Sequence, residues 1–126
     1  KITASDVYLA QKGDTTVGAV AQVEGPTYDR AKIIVGIDSD GKVTGMQFLA
    51  NTDSPGFGLK ASDATYKLSN GMTFFGQFTG KDAKNGFKTN VNFDAISGAT
   101  ITSDGVAELM TEGSACLIKY LEAHNE

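Results

Sequence analysis

Apolar and polar positions alternate over the first half of the chain and then give way to a helical rhythm near its end. Residues 17–24, Val-Gly-Ala-Val-Ala-Gln-Val-Glu, set Val and Ala on one side and polar groups on the other, which predicts a half-buried strand stopped at Gly25-Pro26. A shorter partner is expected over 5–11, before the turn near Gly13-Asp14. Residues 31–38 are β-branched and apolar enough for a well-buried strand, and Ser39-Asp40-Gly41-Lys42 turns the chain into another over 43–50, so this pair reads as a β-hairpin. Residues 51–58 are turn-forming throughout. A short helix is expected over 61–68 behind a Ser62 cap, and residues 72–78 fit either one helical turn or a short strand.

The last pattern is the longest. Val106, Leu109, Met110, Gly113, Cys116, Leu117, Tyr120 and Leu121 fall at spacings of three and four, one apolar stripe along a helix from about Ser103 to His124. Strands followed by a long terminal helix imply an α+β fold: a twisted antiparallel sheet with helices packed on one face. The 126 residues suffice for one core and are too few for two, so a single domain over 1–126 is expected.

Composition narrows the function. Eleven basic against fifteen acidic residues give a formal charge of −4, and the lysines are scattered, which argues against a nucleic-acid partner. One cysteine cannot form an internal disulfide, and Cys116 on the apolar stripe reads as a buried, inert thiol. Asp38-Ser-Asp40-Gly41 has the wrong spacing for a calcium loop, and no metal site is expected. Ser97 lacks the nucleophile elbow of a hydrolase, and His124 at the frayed end is a solvated residue, so no catalytic residues are assigned. The longest apolar runs fall far short of the roughly 20 residues of a membrane span. The abrupt start at Lys1 suggests a trimmed form of something longer.

The candidate chemistry lies at Asp94-Ala-Ile-Ser97-Gly98-Ala99-Thr100-Ile101-Thr102-Ser103, directly before the helical stripe. A helix start exposes unpaired N–H groups that, with the helix dipole, favour a bound phosphate. Gly98 and Ala99 would let a large group lie against the backbone, and Thr100 offers an oxygen that can form a phosphoester. The same run of hydroxyls could equally be no more than a helix cap.

This motif resembles the attachment signal of the FMN-binding domain family, which includes soluble parts of the G subunit of Rnf complexes and the C subunit of the sodium-pumping NADH:quinone oxidoreductase. Two further segments are similar and stand in the family's order: Asp53-Ser54-Pro55-Gly56-Phe57-Gly58-Leu59-Lys60, like the family's Pro-Gly loop, and Phe75-Gly-Gln77-Phe78-Thr-Gly80-Lys81. The resemblance implies FMN joined covalently to Thr100. It implies contacts from Ser97, Gly98, Ala99, Ile101 and Thr102 and from Pro55, Gly56, Phe57, Gly58 and Lys60, with Asp94 recognised by a flavin transferase that is magnesium-dependent and uses FAD as donor. Phe57 could stack on the flavin or anchor its loop; Lys60 could reach the phosphate or remain solvated. The loop Gly25-Pro-Thr-Tyr28-Asp-Arg30 departs from the family's glycine-rich spelling and is left out of the site. An extracytoplasmic electron carrier, membrane-anchored when full length and passing electrons to redox partner proteins, is the implied function. The alternatives are a domain cut from a larger fumarate-type reductase and a flavin-free surface module.

Overall fold

The computed structural model describes residues 2–54, 56 and 58–124, without the side chain of His124. Pro55 and Phe57, both expected at the site, and the His124 side chain, expected to be solvated, therefore lie outside the described residues.

Four strands follow one another as an antiparallel meander: β1 (Thr3–Lys12), β2 (Thr15–Pro26), β3 (Arg30–Asp38) and β4 (Val43–Asn51), in the order β1-β2-β3-β4. Every expected strand is present, and the first two are longer than their apolar patterns. β2 continues through Gly25 and Pro26 because those residues still pair with Ala31 and Arg30. β1 is an edge strand broken by a register shift between Ser5 and Tyr8, where Asp6 takes a positive φ of 51°.

Helix α1 (Thr100–His124) lies across β2 and β3. Its stripe of Val106, Leu109, Met110 and Leu117 is buried with Ala21, Val23, Ile33 and Val35 of the inner sheet face. Two glycines permit the close approach. A Cβ at Gly113 would stand 2.6 Å from Val23 Cγ2, and one at Gly105 would stand 2.6 Å from Thr27 Cα. Cys116 is only half-buried, a correction to the expected buried thiol, because it sits at the stripe's margin.

Between β4 and α1 the chain forms two short 3₁₀ turns, Gly58–Ser62 and Phe75–Phe78. The second is the helical one of the two alternatives open for residues 72–78. The expected helix over 61–68 is absent, and local hydrogen bonds explain why. The Ser62 hydroxyl donates to Leu59 O at 3.1 Å and accepts from Asn51 Nδ2, so it caps nothing. Asp63 Oδ1 instead accepts from both the N–H and the hydroxyl of Thr65, which closes a turn that competes with helix. Farther along, Phe74, Phe78, Phe87 and Phe93 form a cluster of mostly edge-to-face rings, 4.9–5.8 Å between centroids, that anchors the long connection to the core.

Candidate functional site

Three connections meet at one end of the sheet. Pairing of Ala31 with Asn51 sets the β2–β3 loop, residues 27–29, beside the residues that leave β4. Gly105 brings the start of α1 against the same loop. Between them is a cavity of about 540 Å³ lined by Tyr28, Ser54, Gly58, Gly98, Ala99, Thr100, Ile101 and Thr102.

The helix start is built without a side-chain cap. Ala99 precedes the first helical residue, and its carbonyl accepts from both the Ser103 N–H, at 3.0 Å, and the Ser103 hydroxyl, at 2.9 Å. That arrangement starts the helix at Thr100, three residues before the expected Ser103. Ser103 Oγ also accepts from the Ile96 N–H at 3.1 Å, so the hydroxyl is turned into the core. Among the described residues nothing accepts from the N–H groups of Thr100, Ile101 or Thr102. Among the described residues, no hydroxyl of this run therefore caps the helix start. Instead, three unpaired donors and the positive end of the dipole stand beside the cavity.

Thr100 is exposed at this point, and Ile101 beside it is 60% exposed, while Thr102 faces inward at 2%. Gly98 adopts φ of +80°, a conformation that a side chain would strain, and open space surrounds the position of its absent Cβ. Gly58 is closely packed: a Cβ there would stand 2.2 Å from Thr102 Oγ1 and 2.8 Å from Asp53 Oδ2.

Gln77 sets where the motif begins. Its buried amide donates to Asp94 O and accepts from Asp94 N, both at 2.9 Å, pairing with the backbone as a neighbouring strand would. The Asp94 carboxylate remains exposed and accepts from Asn70 Nδ2 at 2.9 Å. Lys81, in the same segment, donates to Asn92 O.

The expected residues are not all gathered in one place. Gly98, Ala99, Thr100, Ile101, Thr102 and Gly58 line the cavity together. Ser97 is exposed in the preceding turn and outside the lining. Gly56 and Lys60 border a separate hollow of about 470 Å³, where Lys60 Nζ sits 4.9 Å from the centre of the Tyr66 ring in a cation–π contact.

Sequence reasoning left two features out. Tyr28, 65% exposed, lines the cavity although its loop was excluded. Asp53, read only as part of a loop, is a buried carboxylate joining that loop to the helix. Gly105 was the usable signal for both: a glycine inside a good helical pattern marks a close backbone approach.

The cavity's size lies within the range of small-molecule sites. A phosphate on Thr100 would meet free N–H donors, and small residues at 98 and 99 leave room for a ring system. The residues present thus fit an FMN group.

Comparison with known proteins bears on the family and the fold. Residues 28–114 match the profile of the FMN-binding domain family. The G subunit of the proton-translocating ferredoxin:NAD(+) oxidoreductase complex of Clostridium ljungdahlii is 33% identical over 114 residues, covering 85% of this chain and 57% of that protein. The G subunit of the ion-translocating oxidoreductase complex of Aliivibrio fischeri is 32% identical over 132 residues, covering 98% and 58%. The crystal structure of Shewanella oneidensis NqrC superposes with a TM-score of 0.68 at 20% identity, over 93% of this chain and 60% of that one, and shares the fold. The chain thus spans somewhat more than half the length of these proteins.

Proposed function

The chain belongs to the FMN-binding domain family, and from that premise we propose that it is an electron-carrying domain whose FMN is joined by a phosphoester to Thr100. One observation carries the reading: Thr100 stands exposed as the first residue of α1, on the wall of the 540 Å³ cavity, beside backbone donors that no group among the described residues uses. FMN, when bound, supplies one- and two-electron transfer; the protein supplies attachment, orientation and electrostatic tuning.

The chain's own residues divide that work. The Thr100 hydroxyl bears the group. The N–H groups of residues 100–102 and the helix dipole offset the charge that a phosphodiester retains. Gly98 and Ala99 leave the approach to the helix start open, and Tyr28 and Ile101 offer apolar surface at its edges. The exposed Asp94 carboxylate, held at a fixed place by Gln77 and Asn70, is available to a transferase that takes FAD as donor and requires magnesium.

The relatives are named as subunits of ion-translocating complexes, and the proposed partners are accordingly redox proteins at a membrane, met on its extracytoplasmic side. No described helix is long and apolar enough to cross a membrane.

Co-expression with an active flavin transferase of the family, followed by intact mass under denaturing conditions, tests the proposal. Wild type should gain the mass of one FMN less water, and Thr100→Ala should gain nothing. A wild type that stays unmodified, with the transferase active on a control substrate, overturns it.

A further inference from the structure

Asp53 accepts hydrogen bonds from two walls of the cavity at once. Its Oδ1 accepts from the Thr27 hydroxyl at 2.8 Å and the Asp29 N–H at 2.7 Å, on either side of Tyr28. Its Oδ2 accepts from the Thr102 hydroxyl at 2.6 Å, two residues beyond Thr100. The donors lie 24 to 49 residues from Asp53 in sequence, so no local turn requires them. We infer that Asp53 is a positioning residue that holds Tyr28 and Thr100 in register across the cavity, so that the two walls move as one unit.

The chemistry suits a carboxylate. Both oxygens can accept, whereas asparagine would turn an N–H toward Thr102 and keep only one acceptor. Asp53 is 3% exposed, and burial pushes its pKa up. The hydrogen bonds from Thr102, Thr27 and the backbone of Asp29 and Tyr28 outweigh that and hold it below the ordinary 3.8, so the strong, charge-assisted form persists at neutral pH. Gly58 completes the joint by leaving room for Thr102 and Asp53 to meet. The joint's purpose, a constant setting for a group on Thr100, rests on the flavin proposal; its existence does not.

Amide hydrogen exchange of the flavin-free chain, followed by NMR, tests it with one substitution on each wall. Thr102→Val removes only the helix donor. It should speed exchange of the Asp29 N–H on the opposite wall by about tenfold, the size of one lost hydrogen bond to a charged group, and leave the central sheet amides of Val23, Ile33 and Val35 unchanged. Thr27→Val, on the loop, should likewise speed exchange at Ala99 and Ser103, whose N–H groups are bonded at the helix start. An effect confined to the substituted wall, or a uniform rise across the sheet, overturns the inference. A coupled response in these two variants, together with a wild type left unmodified by a transferase active on a control substrate, would remove the flavin proposal and leave the joint standing.

Discussion

The two ends of the sheet use aspartate in opposite ways. At the β3–β4 turn, Asp38 Oδ1 accepts from the N–H groups of Asp40 and Lys42 at 2.9 and 3.0 Å, both within four residues. At the other end, Asp53 accepts at similar distances from Thr27, Asp29 and Thr102, drawn from two other parts of the chain. The first carboxylate is close to solvent and shapes a turn that its own neighbours already encode, with Gly41 at φ +84°. The second is buried and organises a place where three connections meet. The same acceptor chemistry therefore closes a hairpin in one region and assembles a site in the other; sequence separation and burial make the difference.

That contrast can be broken by substitution. Asp53→Ala should cost about 2–4 kcal/mol, because it strands buried hydroxyl and N–H donors from two other segments; urea unfolding measures it. Gly58→Ala should cost about 1–3 kcal/mol, since its methyl would overlap Thr102 Oγ1 and press on Asp53, whereas Gly45→Ala, with open space around the added Cβ, should stay within about 0.5 kcal/mol. A loss at Gly45 equal to that at Gly58 would contradict the close packing described for the site.

Acid sharpens the comparison further. Asp53 has its folded pKa lowered, so its contribution to stability is complete above the unfolded value near 3.8 and disappears as pH falls through the folded value. Asp63 is also lowered, first by the Thr65 hydroxyl, and loses its effect in the same direction, but it is fully exposed. Stability of the wild type should therefore decline below pH 3.8, and Asp53→Asn should flatten that decline more than Asp63→Asn does. Equal flattening would mean that the joint is no stronger than a surface turn. A small effect belongs to the hairpin: Asp38→Ala should cost about 0.5–1 kcal/mol and leave exchange at Asp29 and Ser103 unchanged.

Most of the scaffold was legible from periodicity. The alternation over 17–24, the β-branched apolar run over 31–38 with its hairpin partner over 43–50, and the stripe from Val106 to Leu121 correspond to three strands and to the buried face of α1. They could be read because burial repeats every two residues in a strand and every three or four in a helix. Thr100 and its neighbours were proposed through the spelling of the motif, and the structure adds a helix start whose first N–H groups have no acceptor among the described residues. The 61–68 segment misled because Ser62 resembles a helix cap in sequence, while its hydroxyl is engaged by Leu59 and Asn51 and the next residue, Asp63, closes a turn with Thr65. Tyr28 was left out, and Lys60 was grouped with residues that line a different hollow, for a related reason: position along a loop does not say which cavity a side chain borders.

By itself the sequence determined the element types, the face of each that is buried and the family of the chain, because these depend on local periodicity and short motifs. Tertiary structure alone decided that Tyr28 borders the same cavity as Thr100, that Lys60 does not, and that Asp53 ties the two walls together. Those facts follow from strand register and from the approach of α1 at Gly105, which bring residues far apart in the chain within hydrogen-bonding distance.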